Sequence, residues 1–294
     1  MPDLLSAASQ PALRAALDTL RDHGIEPDRC DILQDGSTLV VRLTGDLVAR
    51  VVQDRDGPRQ GTAWFERENA VALHLTRRGA PVVPLHDALP PGPHWRDGFP
   101  LNFWRYVEIL DRTPDPRQAG QTLRQCHEAL RDLAESLPRL AILHEAQSLL
   151  VERELLPKDE QSLVRRRLQT ALAALENAPA QPLHGDAHEG NLLVTADGLL
   201  WSDWEDAFIG PVEWDLASLI WNARLLERNT ATAEAMLVGY AEAGGGFDTG
   251  LLEQCLIARA AVMCAWYPIL YPQPDAARRA KLRHRLDWLA SLPD

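Results

Sequence analysis

The sequence predicts an α+β protein of two lobes, a small antiparallel-sheet N-terminal lobe (residues 1–107) and a larger, mostly helical C-terminal lobe (residues 108–294). Three observations predict this class. Short apolar runs separated by Gly-containing turns follow one another over residues 31–53, which is typical of antiparallel strands. After residue 115, apolar residues recur mostly at helical spacing. The length of 294 residues is sufficient for two modest lobes or one large domain.

The N-terminal lobe is predicted to begin with a helix and to continue with three strands. The helix is expected over residues 10–23, and Gly24 can end it. A second helix is expected over 59–78, followed by apolar runs at 82–85 and 101–107 on either side of a Pro- and Gly-rich loop. The three strands, joined by turns around Gly36 and Gly45, are predicted at 31–34, 38–43 and 47–53.

The C-terminal lobe is predicted to be helical with one exception. Residues 192–201, LLVTADGLLW, contain two short apolar runs separated by the turn sequence Ala196-Asp197-Gly198, and this pattern predicts a β-hairpin. The strand at 101–107 is expected to lead into the connection between the lobes.

Composition excludes several classes of partner. The 30 basic and 42 acidic residues give a net charge of −12, which argues against nucleic acid or an anionic membrane as partner. No apolar run approaches the length of a membrane span, and the N-terminus lacks an export pattern. The four cysteines are scattered without a CxxC pair, so we expect a cytoplasmic protein. The sequence leaves the oligomeric state open.

Two polar segments carry the residues for chemistry. LHGDAHEGNLLV, residues 183–194, contains Asp186 and Asn191, and WSDWEDAF, residues 201–208, contains Asp203. Asp186 could accept the proton of a hydroxyl group while orienting it for attack. Asn191 and Asp203 offer an amide oxygen and a carboxylate, which are suitable magnesium ligands. A single Asp in a loop is usually a turn former, but acid, amide, hairpin and acid in this order favour phosphoryl transfer.

HGDAHEGNLLV…GLLWSDWEDAFIGPVEWDLA resembles the aminoglycoside phosphotransferase and choline kinase-like family, relatives of the protein kinases. The match is strongest over 182–219 and looser over 33–107 and at 122–130, whereas the last seventy or so residues carry no recognisable motif. The resemblance implies a protein-kinase-like fold. It also implies transfer of the γ-phosphate of ATP or GTP, with Mg²⁺, to a hydroxyl of an antibiotic, an amino alcohol or a sugar.

The resemblance assigns roles to residues of the segment that carries it. Asp186 would be the catalytic base, and Asn191 and Asp203 would be the magnesium ligands. Asp215, in EWDLASL, would lie at a helix start that braces the catalytic loop, or would be a plain N-terminal cap. His188 could face the transferring phosphate and help to stabilise it. A loop histidine with structural contacts only is an equal alternative.

The resemblance also implies a nucleotide site in the N-terminal lobe. Gly36 and Ser37 are a candidate turn over the phosphates, although an ordinary hairpin turn is an equal alternative. Arg50 stands where the family has a lysine. Its guanidinium could hold the α- and β-phosphates in bidentate fashion, or it could point outward. Its expected partner is Glu68 on the following helix, with Glu66 the less favoured choice because the two lie on different helix faces.

Further residues are candidates for contacts with adenine and with the acceptor. Arg105, Tyr106 and Val107 would offer backbone groups to the adenine ring, although apolar residues at such a spacing are far more often part of the core. Glu205, Asp206 and Glu213 could line a pocket for a cationic acceptor, but acids at a helix start more often stabilise the helix dipole.

Two other functions use the same residues. His184, Asp186, His188 and Asp203 could form a metal cluster of a zinc or two-metal phosphoesterase. Against this, the chain lacks a His-rich ligand block downstream. A kinase-like protein that only binds a ligand is the second alternative. Arg50 in place of lysine supports it, whereas the presence of all three catalytic-type residues argues against it.

Overall fold

The structure is a computed structural model and describes residue 6, residues 8–54 and residues 61–293. The chain folds into two compact units. The first comprises residues up to Arg112 together with Leu193–Glu205, and the second comprises Thr113–Leu192 and the residues from Asp206 onward. The sequence prediction placed one boundary after residue 107 and did not anticipate that the later segment belongs to the first unit. None of the described helices is long and apolar enough to cross a membrane.

Strands predominate in the first unit and helices in the second, in agreement with the predicted α+β class. In chain order, the α-helices of the described residues are α1 (Gln10–Asp22), α2 (Ala63–Arg77), α3 (Pro116–Leu130), α4 (Ala141–Glu152), α5 (Lys158–Leu175), α6 (Val212–Trp221), α7 (Thr230–Glu242), α8 (Thr249–Leu270) and α9 (Ala276–Ser291). The strands are β1 (Asp31–Asp35), β2 (Thr38–Arg42), β3 (Leu47–Val52), β4 (His94–Arg96), β5 (Phe99–Arg105), β6 (Gln181–Leu183), β7 (Leu192–Thr195), β8 (Gly198–Trp201) and β9 (Phe208–Gly210).

The first unit contains a five-stranded antiparallel sheet in the order β1-β2-β3-β5-β4. Side chains alternate along a strand, so that Ala49 and Val51 of β3 face the core formed with α1, while Arg50 lies on the opposite face. Arg50 is paired in register with Val40 of β2 and Asn102 of β5. Its backbone is therefore held on both sides by the sheet, which fixes the point from which its side chain extends.

The predicted helix 10–23 and the first three strands are confirmed to within two residues. The Pro- and Gly-rich loop contains one element that was not predicted. Asp97 and Gly98 adopt positive φ (51° and 83°) and form a tight turn that pairs β4 with β5. The apolar run at 82–85 makes single bridges only, from Val82 to Trp201 and from Leu85 to Trp104. The second helix begins at Ala63, and residues 59–60 of its prediction lie outside the described residues.

The hairpin predicted at 192–201 is present as β7 and β8. Backbone hydrogen bonds attach it to the first unit. The Trp201 N–H donates to Pro81 O, and the Val83 N–H donates to Trp201 O, both at 2.9 Å. The Leu110 N–H donates to Val194 O at 2.8 Å. These bonds explain why this segment packs with residues that precede it by about a hundred positions.

The second unit is built around helix pairs and one small sheet. Helices α3 and α7 approach closely because each contributes a glycine. A Cβ at Gly120 would lie 2.0 Å from Met236 O, and a Cβ at Gly239 would lie 2.0 Å from Arg117 O. Strands β6 and β9, which were not predicted, pair antiparallel. Strand β6 leads directly into the loop 184–191, so this pairing fixes where the loop begins.

Candidate active site

The loop 184–191 is anchored by a buried carboxylate. Asp215 Oδ2 accepts hydrogen bonds from the His184 N–H (2.7 Å) and from His127 Nε2 (2.9 Å), and Asp215 Oδ1 accepts one from the Gly185 N–H (2.9 Å). Trp214 Nε1 donates to Gly185 O at 2.6 Å. Three backbone groups of the loop are therefore bound by two consecutive residues of α6, which leaves the start of the loop a single conformation.

Asp215 is not the N-terminal cap of α6, so that alternative is wrong. The helix begins at Val212 after the cap residue Pro211, and Asp215 lies at the end of its first turn with its side chain fully buried. Its partner His127 also contacts the Tyr240 hydroxyl through Nδ1 at 2.9 Å. The buried network thus joins α6, α3 and α7 to the loop.

Glycine at position 185 is required by two features of the backbone. Its φ is +87°, in the left-handed region, and a Cβ would lie 2.0 Å from Asp206 O. An L-residue with a side chain would be strained and would collide with a backbone atom that cannot move freely. The close passage of the chain past Asp206 therefore places the residue that follows, Asp186.

Asp186 contacts two basic side chains of the second unit, Arg259 and His188. Its Oδ1 accepts a hydrogen bond from Arg259 Nη2 (2.7 Å), and its Oδ2 lies 3.4 Å from His188 Nε2. The side chain keeps 27% of its surface exposed. Burial acts to raise the pKa of Asp186, but the charge of Arg259 and then the contact with His188 outweigh burial and hold the pKa well below its usual range. The carboxylate is therefore ionised at neutral pH.

Asn191 and His188 are oriented by the same loop. Asn191 Nδ2 donates to Asp186 O at 2.9 Å, which directs the amide and distinguishes its nitrogen from its oxygen. His188 Nδ1 accepts from the Gly190 N–H at 2.9 Å. The proton of neutral His188 is therefore on Nε2, the nitrogen nearer Asp186. The structure brings Asp186, His188 and Asn191 together, as the motif predicted.

Arg259 was not identified from the sequence. It lies on α8, is 5% exposed and contacts Asp186 across 73 positions of the chain. The available signal was an arginine in the apolar helical run CLIARAAVMCAW, where a charged residue needs a partner. That signal indicates a buried ion pair but does not identify the second residue.

Arg50 of the first unit pairs with three carboxylates. Its Nη1 donates to Glu68 Oε2 (2.7 Å), and its Nη2 donates to Asp203 Oδ1 (3.0 Å) and Glu205 Oε2 (2.6 Å). The predicted pair with Glu68 is present, and Glu66 is exposed. The outward-pointing alternative for Arg50 is wrong. Asp203 adopts φ +66°, a left-handed conformation that is uncommon outside glycine.

Gly36 and Ser37 form the turn between β1 and β2. The Gly36 N–H donates to Thr38 O (3.3 Å), and Ser37 O accepts from the Gln53 N–H (2.8 Å). Gln53 Nε2 also donates to Gly36 O at 2.9 Å. These contacts are those of a hairpin turn whose Gly36 N–H is already bonded. Phosphate binding by this turn stays a prediction.

The backbone groups predicted for adenine are only partly available. The Arg105 N–H donates to Pro84 O (2.9 Å), and the Tyr106 N–H donates to Asp46 O (2.5 Å). The Val107 backbone makes no hydrogen bond to the residues that the structure describes. Val107 is therefore the position among the three where a backbone N–H remains for a ligand.

The acids proposed for a cationic pocket have other partners. Glu213 Oε1 accepts from the Asp248 N–H at 2.8 Å, next to the start of α8, and Glu205 is bound to Arg50. The three tryptophans of this region are buried: Trp204, Trp214 and Trp221. The contacts of Glu205 and Glu213 thus do not single out a cationic acceptor.

The phosphoesterase alternative lacks support from the second unit. His184 is fully buried, and its Nδ1 accepts the Asp186 N–H at 3.3 Å. Over the described ranges, no three His, Cys, Asp or Glu side chains are grouped as ligands of one metal ion. His184, which begins the HxDxH pattern, therefore binds the loop backbone through its Nδ1 and does not belong to a group of metal ligands.

The sequence model of the phosphotransferase enzyme family matches residues 19–252. The chain belongs to this family. It is a small-molecule phosphotransferase with an alcohol group as acceptor, as the sequence predicted. Among curated protein sequences none matches the chain significantly.

Solved structures of several small-molecule kinases share the fold at low sequence identity. An amicoumacin kinase, hAmiN, in complex with AMP-PNP, Ca²⁺ and Ami is 14% identical, with a TM-score of 0.75 over 97% of this chain and 96% of that chain. A choline/ethanolamine kinase family protein from Mesorhizobium loti is 19% identical, with a TM-score of 0.66 over 97% and 95%. The choline kinase LicA from Streptococcus pneumoniae is 16% identical, with a TM-score of 0.69 over 95% and 99%. These likenesses confirm the predicted kinase-like fold.

Proposed function

We propose that this phosphotransferase transfers the γ-phosphate of ATP (or GTP) to a hydroxyl of a small molecule, with Asp186 as the catalytic base. The observation that carries the proposal is the environment of Asp186. Its carboxylate is ionised, partly exposed and held by Arg259 on a loop whose backbone is bound by Asp215. Such a carboxylate can accept a hydrogen bond from a hydroxyl and keep it in line with the phosphate.

The lowered pKa of Asp186 agrees with this chemistry. A carboxylate with a low pKa is a weak base, so it cannot remove a hydroxyl proton early in the reaction. Phosphoryl transfer has a loose transition state in which the acceptor needs little added nucleophilicity, so that orientation contributes more than deprotonation. Asp186 then receives the proton as the new P–O bond forms. His188, whose Nε2–H faces the same carboxylate, would help to stabilise the transferring group.

Asn191 and Asp203 are the proposed ligands of Mg²⁺. An amide oxygen and a carboxylate are the donor types that Mg²⁺ prefers. Asn191 fits because the bond from its Nδ2 to Asp186 O orients the amide and identifies which of its ends is the oxygen. Asp203 fits because its side chain is 41% exposed and Arg50 contacts its Oδ1, so that Oδ2 can bind a metal ion. When bound, the metal would neutralise charge on the phosphate oxygens.

The nucleotide site is proposed for residues of the first unit. Arg50, held by Glu68, would bind the α- and β-phosphates through its guanidinium. Because Arg50 also contacts Asp203 and Glu205, nucleotide binding must replace or share those contacts. Val107, with Arg105 and Tyr106 bracing it, would offer its backbone to adenine.

The remaining nucleotide contact is proposed for the turn at Gly36 and Ser37, which would lie over the phosphates. The acceptor would bind in the second unit beside Asp186. The proposed acceptor classes are an antibiotic, an amino alcohol and a sugar, and the likeness to an amicoumacin kinase and a choline kinase supports the first two.

The test is a nucleotide-consumption screen with Asp186→Asn as the deciding variant. Wild-type protein should consume ATP or GTP in an acceptor- and magnesium-dependent manner, with silence in magnesium-free controls. Asp186→Asn should lower kcat by about 10²–10⁴-fold, the range expected for loss of a general base. Asp197→Asn is the matched control, because Asp197 lies exposed in the β7–β8 turn. Unchanged acceptor-dependent turnover in Asp186→Asn would exclude Asp186 as the base.

A further inference from the structure

Arg259 is a buried arginine on α8 whose salt bridge, within the described ranges, is with Asp186. The residue is 5% exposed, and its neighbours Ala258, Ala260 and Ala261 are fully buried. Its Nη2 donates to Asp186 Oδ1 at 2.7 Å. Its Nε is buried and has no hydrogen-bond partner among the residues that the structure describes. The bond to Asp186 is therefore the contact that gives this guanidinium its orientation.

Stability alone does not account for an arginine at position 259. A buried ion pair costs the desolvation of both charges, and apolar side chains of similar volume are often equally or more stable in its place. Helix α8 is otherwise rich in buried apolar residues such as Leu256 and Val262, which an apolar side chain at 259 would match. The unsatisfied Nε adds to the cost. The benefit of the arginine is therefore expected at its partner, Asp186.

Helix α8 begins at a fixed place relative to α6. Asp248, the N-terminal cap of α8, donates its backbone N–H to Glu213 Oε1 of α6 at 2.8 Å. Asp215 of the same α6 binds the beginning of the loop 184–191. Arg259 follows the cap by eleven residues, about 16 Å along a stiff helix. Helix α6 thus holds the backbone of the loop, while α8 brings a guanidinium to the Asp186 side chain.

The two oxygens of Asp186 have different surroundings. Oδ1 receives the charge-assisted bond from Arg259. Among the described residues, Oδ2 has a contact with His188 Nε2 at 3.4 Å, which is longer than the usual N–H···O distance of about 2.7–3.2 Å. A carboxylate turns easily about its last torsion, and the bond to Arg259 prevents this rotation. Oδ2 is therefore the oxygen that can accept a hydrogen bond from a further donor.

We infer that Arg259 is a positioning residue, which turns Asp186 Oδ2 towards the acceptor hydroxyl. This role rests on the proposed function and deepens it, because it assigns a task to a segment of the chain without a recognisable motif. The hydroxyl donates its hydrogen bond to Oδ2. Its oxygen forms the new bond to the γ-phosphorus, the bond to the leaving nucleoside diphosphate breaks, and the proton passes to Oδ2. Arg259 acts through the carboxylate, and its own guanidinium stays buried behind it.

The first experiment uses Arg259→Met, which keeps much of the side-chain length but removes every donor. Turnover is followed with kanamycin, choline and glucose as acceptors, and with water, as magnesium-dependent ATP hydrolysis. For the acceptor that wild-type protein uses fastest, kcat and kcat/KM should fall together by about 10- to 100-fold, the loss expected when a reacting group is misplaced. KM for ATP should be unchanged. Arg259→Lys should keep more of kcat, since an ammonium can still donate to Oδ1.

Arg124→Met is the matched control. Arg124 is another largely buried arginine of the second unit, and its side chain is 12% exposed. It pairs with Glu128 on its own helix at 2.6 Å, away from the loop 184–191. This variant loses the same charge and a similar ion pair, so its kcat should stay near that of the wild type. A lower denaturation midpoint of Arg259→Met with unchanged kcat would assign Arg259 a structural role and overturn the inference.

A double-mutant cycle tests whether Arg259 acts through Asp186. Asp186→Ala removes both carboxylate oxygens. Adding Arg259→Met to Asp186→Ala should lower the residual kcat by less than about twofold, because two residues that act as a unit are not additive. If the two losses multiply in full, Arg259 acts independently of Asp186 and the inference is overturned.

Chemical rescue separates orientation from packing. Added guanidinium, well below concentrations that unfold the protein, should restore part of kcat to Arg259→Ala. Urea, a neutral molecule of the same shape, and sodium chloride at equal ionic strength should not. Equal rescue by urea would show that the lost volume matters and would contradict the inference. If neither Arg259→Met nor Arg259→Ala folds, Arg259→Gln decides, and an unchanged kcat in that variant contradicts the inference.

The variants also distinguish this inference from the proposed function. If Asp186→Ala abolishes turnover and Arg259→Met leaves kcat unchanged, Asp186 remains the base and only the role of Arg259 fails. If Asp186→Ala leaves turnover unchanged, or if wild-type protein consumes no ATP with any of the four acceptors, the proposed function fails and the role of Arg259 fails with it.

Discussion

Asp215→Asn tests whether the buried carboxylate holds the loop 184–191. Asparagine retains one oxygen and replaces the other by an N–H₂ group. If the asparagine oxygen takes the place of Oδ2, the N–H₂ group faces the Gly185 N–H. If the oxygen takes the place of Oδ1, the N–H₂ group faces the His184 N–H. His127 can change tautomer to accept a hydrogen bond, but a backbone N–H cannot. One buried backbone donor is therefore opposed by a donor in either orientation.

The expected loss can be built from these contacts. One buried donor left unsatisfied costs about 1–3 kcal/mol, and the opposing amide N–H adds a similar penalty. The remaining bonds to a neutral oxygen are weaker than bonds to a carboxylate. We expect Asp215→Asn to lower the free energy of unfolding by about 3–5 kcal/mol, measured by urea denaturation. Turnover should fall as well, because Asp186 directly follows the two anchored residues.

Glu213→Gln is the matched control on the same helix. It also neutralises a buried acid, but Glu213 Oε1 accepts a single bond, from the Asp248 N–H, and a glutamine oxygen can keep that bond. Its expected cost is below about 1 kcal/mol. If the free energies of unfolding of the two variants differ by less than about 1 kcal/mol, the His184 and Gly185 N–H groups have other acceptors. The conclusion that Asp215 holds the loop would then be refuted.

Two further predictions concern backbone and thiols. Gly185→Ala should abolish activity and should lower the denaturation midpoint far more than Gly244→Ala does. Both glycines have positive φ (+87° and +82°), but only a Cβ at position 185 would collide with Asp206 O. Equal denaturation midpoints of the two variants would contradict this collision. Burial raises the pKa of the Cys264 thiol to about 12. A thiol reagent at pH 8 should therefore modify only the exposed Cys30 in the native protein, and all four cysteines after denaturation. Fast labelling of Cys264 in the native protein would contradict its burial.

Local patterns predicted those parts of the site that are local in the chain. Asp186, His188 and Asn191 are brought together by one loop, and a short hairpin follows them, so their spacing was informative. The pair of Arg50 and Glu68 was predicted from the family resemblance, and the strand and the next helix that carry the two residues are adjacent in the chain. In each case the geometry depends on few intervening residues.

Contacts between distant segments could not be predicted in the same way. Arg259 reaches Asp186 from a helix whose sequence has no motif, and no periodicity specifies which buried acid it meets. Strand β4 and the pair β6–β9 are three residues long, too short for a pattern of alternation to be distinctive. The run at 82–85 is apolar enough for a strand, but its partners are single residues, Trp201 and Trp104.

The hairpin β7–β8 has a consequence for synthesis on the ribosome. The contiguous part of the first unit ends at Arg112, and its second segment is Leu193–Glu205. The ribosome therefore completes the first unit 93 residues after it has added Arg112. At ribosomal rates of about 5–20 residues per second, that interval lasts roughly 5–20 s. During it, the backbone groups of Pro81 and Val83 that Trp201 will bind have no such partner. The nascent N-terminal segment must therefore remain competent to accept a late strand while the following helices are still being made.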